Sequence, residues 1–198
     1  MQIHTTPLAG LLVFEPTTHS DARGSLMEAW HAERYRAAGL PDFVQDNVSR
    51  SHRLALRGLH YQLENQDKLR GLHYQIENQD KLGSQGKLVT VLSGSAFDVA
   101  VDLRRDSPTF RRWFGIALSG DHLRQVWIPS GFAHGLLATS ETMVVHYKLT
   151  EGRVPELERV LRWDDPSVDI DWPLAAGEEP ILSERDRDAP TIDHIELP

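Results

Sequence analysis

A histidine held in the middle of a strand can act as a base at neutral pH, because the imidazole pKa lies near working pH. This chain offers such a histidine twice. Residues 56–81 read LRGLHYQLENQDK and then LRGLHYQIENQDK, the same thirteen residues with Leu63 changed to Ile76. His60 and His73 therefore share one local setting, between a leucine and a tyrosine and close behind an arginine, Arg57 or Arg70. Other groups with chemical capacity are few. Tyr147 lies on an apolar strand face, His134 follows a glycine turn in PSGFAHG, and Asp186 belongs to the charge run SERDRDAP. Each also has a plain structural role open to it. A lone histidine among apolar residues is commonly a hydrogen-bonded core residue. A tyrosine there packs its ring and leaves the hydroxyl at the edge. A loop histidine and a solvated charge run complete that reading.

Several classes of chemistry lose support. The ten histidines are scattered, with no H-x-H pair, no H-E-x-x-H, no phosphate-binding loop and no dinucleotide fingerprint. No metal site is expected. A net charge of −8 without a Lys/Arg block argues against nucleic acid as a partner. The absence of cysteine removes disulfides, thiolate metal sites and a cysteine nucleophile, and fits a cytoplasmic setting. The opening MQIHTTPLAGLLVFEP lacks a basic start and a long apolar run, so no signal peptide is expected. Nothing approaches the roughly 18 apolar residues of a membrane span.

The elements that must position these groups are mostly strands. GLLVFEP, GSLMEAW, FVQDNVSRS, LALRGLHYQ, GKLVTVLSG, SAFDVAVDLR, RRWFGIALS, RQVWIPSGF, HGLLATS and TMVVHYKLT are short apolar or alternating runs bounded by turn residues. In FDVAVDL, alternation puts Phe97, Val99, Val101 and Leu103 on one face, opposite Asp98, Ala100 and Asp102. In MVVHYKL it puts Met143, Val145, Tyr147 and Leu149 opposite Val144, His146 and Lys148. Only HAERYRAAGL reads as a helix, ended by Gly39 and Pro41. Many short strands with Gly/Pro turns predict a mainly β sandwich, barrel or jelly roll. The 198 residues suit a single domain over 1–198, with a Pro/Asp/Glu-rich segment from about 166 wrapping its surface.

The repeat is a register problem. Two copies cannot build a solenoid, which needs at least three stacked units. The period is odd, and strand side chains alternate with period two, so sliding from one copy to the other turns every side chain to the opposite face. One copy should own the strand and the other should be an insertion.

Taken in order, DARGSLMEAW, FVQDNVSRS, LRGLHYQ, QGKLV, FDVAVDLRRDSPTF, QVWIPSGFAHG, HYKLT, RWDDP, IDWPL and ILSERDRDAP resemble the dTDP-4-dehydrorhamnose 3,5-epimerase family over nearly the whole chain, from about Pro7 to Pro190. The resemblance implies a cupin-type double-stranded β-helix, a jelly roll with few short helices. It also implies a homodimer, no cofactor, and a nucleotide-diphospho-4-keto-6-deoxyhexose as substrate. A 4-keto group acidifies the hydrogens on carbons 3 and 5. Epimerisation then needs a base on one face, an acid on the other and a donor for the enolate oxygen. By resemblance the base is the histidine of RGLH, His60 or alternatively His73, with Asp186 as its carboxylate partner. Tyr147 matches the acid, and Lys87 matches the lysine near the keto oxygen. Arg23, Glu28, Gln45, Asp46, Asn47, Arg57, His134, Glu158 and Arg185 match substrate-binding positions. Arg57 suits a diphosphate, because its planar fork pairs with oxyanions.

Strict alternation would put Arg57 and His60 on opposite faces, so a bulge or kink is predicted at Gly58. Two further features depart from the family. His19, Gly152 and Arg153 stand where the resemblance implies aromatic rings that flank the base, which leaves the nucleotide open. The duplication also alters spacing. Gln45 to His60 is 15 residues, as in the family, while Lys87 follows His60 by 27 residues and His73 by 14. Lengthening a loop costs little, about 0.6 kcal/mol per doubling. This favours His60, with the insertion between the histidine strand and the lysine strand. Two functions stay in play: an epimerase at carbons 3 and 5 (or carbon 3 alone, or a ketoisomerase), and a non-catalytic sugar-nucleotide binder if the duplication displaces the base.

Overall fold

The computed structural model describes residues 1–64 and 84–198. Its elements are β1 (Gln2–Thr5), β2 (Leu12–Glu15), β3 (Thr18–Asp21), β4 (Gly24–Met27), α1 (Ala32–Ala37), β5 (Gln45–His52), β6 (Leu56–Gln62) and β7 (Lys87–Ser93). They continue with β8 (Ser95–Asp102), β9 (Trp113–Ser119), β10 (Gln125–Ile128), β11 (Phe132–Ala138), β12 (Thr142–Leu149), β13 (Glu158–Val160) and α2 (Glu184–Arg187). All ten predicted strand runs contain a strand. The short strands β1, β3 and β13 escaped the sequence reading. β1 and β3 are exposed throughout, and β13 is three residues long, so none carries a buried alternating face.

One sheet runs β1-β2-β10-β7-β12-β5, the other β13-β6-β11-β8-β9, and β3-β4 stands apart as a hairpin. The paired strands are antiparallel. Burial explains why two sheets form. Val89, Val91, Val126, Met143 and Val145 from the first meet Ala96, Ala100, Leu118, Phe132 and Leu136 from the second in one apolar cluster. This is the jelly-roll core, a sandwich whose strands each turn one face inward. The predicted alternation holds in β8: Ala96 and Ala100 face this cluster, while Val99, Val101 and Leu103 face another.

That second cluster lies on the far side of the five-stranded sheet. There Leu56, Leu59, Tyr61 and Leu137 pack against Leu161, Val168, Trp172 and Ile192. The segment after Pro166 thus covers the sheet's outer face with apolar side chains, and its charged residues stay at the surface except Asp186, which is buried. With both faces covered, β11 is buried from end to end. On the outside of the six-stranded sheet, α1 lays Tyr35 against Phe14, Leu40, Leu88 and Trp127. The helix stops where Gly39 takes φ +87°, a left-handed conformation that favours glycine.

Candidate active site

Between the sheets a cavity of about 570 Å³ remains open. The six-stranded sheet supplies Asp46, Asn47 and Ser49 from β5, Lys87 from β7, and Tyr147 from β12. The five-stranded sheet supplies Arg57 and His60 from β6 and His134 from β11. Arg153, Glu158 and Arg185 line it from the chain beyond β12. β5 and β6 turn polar side chains to this cavity, while the apolar residues of β6, Leu56 and Leu59, pack on the other face of its sheet.

Gly58 makes the β6 wall possible. The β6/β11 pairing runs His134 opposite His60 but Leu136 opposite Arg57, so the register shifts by one residue between them. Arg57 and His60 consequently reach the same cavity, as the predicted bulge requires. Gly58 has φ +130°, and a Cβ there would stand 2.5 Å from the His134 carbonyl oxygen and 2.6 Å from the Gly135 Cα. No other residue fits that close approach. The strand is formed by the first copy of the repeat. The alternative base, His73, and its arginine, Arg70, lie outside the described residues.

His60 Nε2 donates to Asp186 Oδ1 at 2.6 Å. The imidazole is 40% exposed while the carboxylate is 5% exposed, so one side of the pair is open to a ligand and the other is fixed. With Nε2 committed, Nδ1 is the nitrogen left to take a proton. Burial alone would push the Asp186 carboxyl up. The His60 hydrogen bond and charge, with Ser183 and the Gly58 backbone, outweigh it and hold the group below its ordinary value. Ser183 caps α2 by accepting from the Asp186 backbone N–H, which fixes where this carboxylate stands.

On the opposite wall, the Tyr147 hydroxyl lies 3.3 Å from Ser49 Oγ. Burial pushes its pKa up, further than the Ser49 hydrogen bond and the Arg57 charge pull it down, so it keeps its proton at neutral pH. The Lys87 ammonium donates to the His60 carbonyl oxygen at 3.3 Å. Burial brings it down to about 8, against the pull of Glu158 and Asp98. A lysine so placed is charged at neutral pH and has little water to share its charge with.

A second His–Asp pair sits beside the first. His134 Nε2 donates to Asp98 Oδ2 at 2.7 Å, both side chains being buried. The His134 ring also meets Tyr147 edge-on, 6.3 Å between centroids. Asp98 was not singled out from sequence. Its signal was there: a carboxylate on the strand face that also carries Ala100, pointing into the core, where a charge needs a partner.

The remaining predicted residues divide. Arg57 donates to Ser51 Oγ at 3.0 Å and to the Arg50 carbonyl at 3.3 Å, both uncharged partners. Glu158 accepts from Arg153 Nε at 2.7 Å, Arg153 Nη2 at 3.0 Å and Arg185 Nη1 at 3.0 Å. These bonds, Arg153 first, bring its carboxyl down to about 2. Arg153, a departure from the family pattern, is thus held in an ion pair at the cavity wall. Gln45 stands just behind, donating to Asn47 Oδ1 and accepting from the Arg153 backbone N–H. Asp46 pairs with Lys148 at 2.7 Å. Arg23 and Glu28 do not join the cavity. Arg23 follows β3 and pairs with Asp21, while Glu28 pairs with Arg34 beside α1. Among the described residues, no group of three or more His, Asp or Glu side chains could hold a metal ion.

The protein is a jelly roll whose cavity sets a His–Asp pair on one sheet opposite a buried tyrosine and lysine on the other, an arrangement suited to acid–base chemistry on a small ligand. The comparisons give the family. The sequence model of dTDP-4-dehydrorhamnose 3,5-epimerase matches residues 5–69 and 64–194, two stretches that overlap within the tandem copies. A dTDP-4-dehydrorhamnose 3,5-epimerase of Pseudomonas aeruginosa is 46% identical over 179 residues, covering 89% of this chain and 88% of that one. One from Methanothermobacter thermautotrophicus is 44% identical over 183 residues, covering 92% and 89%. The crystal structure of dTDP-6-deoxy-D-glucose-3,5-epimerase from Legionella pneumophila, in complex with dTDP-4-keto-L-rhamnose, superposes with a TM-score of 0.86 at 42% identity, covering 100% and 97%. The chain belongs to the dTDP-4-dehydrorhamnose 3,5-epimerase family.

Proposed function

We propose that this protein is an isomerase that inverts carbons 3 and 5 of a dTDP-linked 4-keto-6-deoxyhexose. One observation carries the reading: His60 and Tyr147 line the same cavity from opposite sheets. Inversion requires that a proton leave one face of the sugar and return on the other. His60, oriented by Asp186, takes the proton alpha to the ketone through Nδ1. The electron pair moves onto the keto oxygen, where the Lys87 ammonium opposes the developing charge. Tyr147 then delivers a proton to the opposite face, and exchange with water resets both groups. Arg57, whose partners are uncharged, is the residue available to a diphosphate oxygen. Asn47, His134, Glu158 and Arg185 are the further contacts available to the substrate, with Gln45 and Asp46 at the rim. No metal or cofactor is called for by these steps.

Residues 1–198 are read as one domain, with the duplication at 56–81 as an insertion and His60, rather than His73, as the base. A cytoplasmic setting fits a chain without cysteine. No described helix is long and apolar enough to cross a membrane. The proposed homodimer gives Arg23 and Glu28 a use. They sit near an exposed hairpin where Leu26 is 74% exposed, and Val44 and Val48 leave another apolar surface at the edge strand β5. A second copy covering these surfaces would bring the hairpin's Arg23 to a neighbouring cavity. Leu26→Asp is expected to give a monomer in light scattering, and a variant that stays dimeric refutes this packing.

The activity is tested by incubating the protein with dTDP-4-keto-6-deoxyglucose in deuterium oxide. Deuterium is expected at carbons 3 and 5. Exchange at carbon 3 alone would make it a mono-epimerase, and bound substrate without exchange at either carbon would make it a binding protein.

A further inference from the structure

Asp186 is delivered to His60 by a segment that has almost no regular structure of its own. Between β13 and the chain end, regular structure among the described residues is confined to one isolated bridge, Ala55 with Ile181, the four-residue α2 and a single 3-10 turn at Ile192–His194. A carboxylate on such a segment stays within hydrogen-bond distance of an imidazole only if the segment is tied down. On the upstream side, Leu56 N–H donates to the Ile181 carbonyl, and Ile181 N–H donates to the Leu54 carbonyl. Downstream the ties are made largely by side chains.

Tyr61, the residue after His60, turns to the other face of β6 and is buried in the outer apolar cluster. Its hydroxyl donates to the Glu196 carbonyl oxygen at 2.6 Å. Burial pushes the phenol up to about 12, so it stays a donor. Arg159, directly across from Tyr61 in the β13/β6 pairing, holds the Glu196 carboxylate through Nη2 at 2.9 Å. A cross-strand pair therefore grips both the backbone and the side chain of one residue. Closer to α2, the buried Asp165 accepts from the Ile192 N–H at 2.6 Å, and Arg162 N–H donates to the Pro190 carbonyl.

We propose that Tyr61 and Arg159 are positioning residues, forming a latch that holds the carboxyl-terminal segment so that Asp186 stays on His60. The latch rests on the reading of His60 as the base, but its geometry is independent of which sugar is turned over. It ties the two halves of the pair together from behind: the strand that carries His60 and the segment that carries Asp186 meet again at Glu196. A ligand in the cavity would not touch Arg159, which faces away from it.

The test uses the full chain with Tyr61→Phe, which keeps the ring packed and removes only the hydroxyl, and with Arg159→Gln. The first readout is the imidazole nitrogen signal of His60 in NMR, which needs no turnover. Tyr61→Phe is expected to move it toward its position in Asp186→Asn, and an unchanged signal would overturn the latch even in an inactive protein. The second readout is a double-mutant cycle on kcat. Tyr61→Phe is expected to lower kcat about fivefold, as the loss of one hydrogen bond implies, with the Kd for dTDP unchanged. In an Asp186→Asn background it should have no further effect. An equal loss in both backgrounds, or a Kd that moves with kcat, would make Tyr61 a merely structural residue. A wild-type protein that fails to exchange deuterium would refute the function while leaving the NMR arm decisive for the latch.

Discussion

The two His–Asp pairs face each other across neighbouring strands, with His134 directly opposite His60 in the β6/β11 pairing. Both imidazoles use Nε2 to reach a buried carboxylate, at 2.6 Å and 2.7 Å. They differ in what lies on the other side of the ring. His60 is 40% exposed, and its carboxylate comes from a distant segment. His134 is 6% exposed, and Asp98 comes from β8, the adjacent strand of the same sheet, where Leu136 is its cross-strand partner. A proton can be passed between substrate and His60 without opening the fold, whereas His134 is part of the packing. The same two side chains thus make an accessible pair, suited to the proposed base, in one place and a sealed polar strut in the other. Accessibility decides between them, together with the side chain that stands opposite.

The largest effect should come from breaking the exposed pair. His60→Ala is expected to lower deuterium exchange about a thousandfold, the scale of a general base, with a smaller stability cost than at His134, since Ser183 and the Gly58 backbone still hydrogen-bond the buried Asp186 carboxylate. His73→Ala should leave the rate within about twofold, since its copy is assigned to the insertion. The reverse result would hand the strand to the second copy.

Next comes Tyr147→Phe, expected to lower product formation about a hundredfold. Here the two proton transfers should separate. With His60 intact, a proton leaves and returns on one face, so deuterium still enters the substrate while inversion fails. Equal loss of exchange and inversion would show that Tyr147 is needed to form the enolate as well.

His134→Ala should invert the pattern seen at His60. It leaves the Asp98 carboxyl buried without its partner, at a cost of about 3 kcal/mol measured by urea unfolding. The activity of the folded fraction should fall only about tenfold, through lost substrate contact. A variant as stable as the parent would mean that Asp98 finds water or another donor.

The smallest effect is a pH limb. Lys87 is charged below about pH 8 and neutral above it, so kcat should fall by half near that pH and continue down as the ammonium is lost. The stability sign is opposite. Its folded pKa lies below the ordinary 10.5, so the buried charge costs the fold below pH 8, and that cost fades between pH 8 and 10.5. Replacing Lys87 by Met should therefore raise the unfolding midpoint at pH 7 while lowering activity. A flat rate profile through pH 9 would show that the ammonium does not act in the rate-limiting step.

Much of this site was legible in the chain because strands impose a simple rule. Period-two alternation placed Tyr147 inward with Met143 and Val145, and it placed Val99 and Val101 opposite Ala100. A departure from the same rule identified Gly58, since Arg57 and His60 reach one cavity only across an added residue. The pairing of Asp186 with His60 came from family likeness, because 126 residues separate them and no local pattern links a one-turn helix to a distant strand. Asp98 was overlooked because its cue, a carboxylate sharing a strand face with Ala100, calls for a partner without saying which distant residue supplies it. Arg153 stands where the resemblance implies an aromatic ring beside the base, and the fold gives it Glu158 as its partner. Arg23 and Glu28 were expected at the substrate, yet within one chain they remain outside the cavity.

The sequence by itself determined the strands, the inward faces, the helix stop at Gly39 and the conflict of register between the two repeat copies, because these depend on side-chain period and backbone sterics over a few residues. The tertiary structure decided which histidine is open and which is sealed. It also decided that Tyr61 and Arg159 meet at Glu196, and that Lys87 carries its charge in a dry site. Those outcomes depend on which distant strands pack together and how much water they leave between them, and no local stretch of chain contains that information.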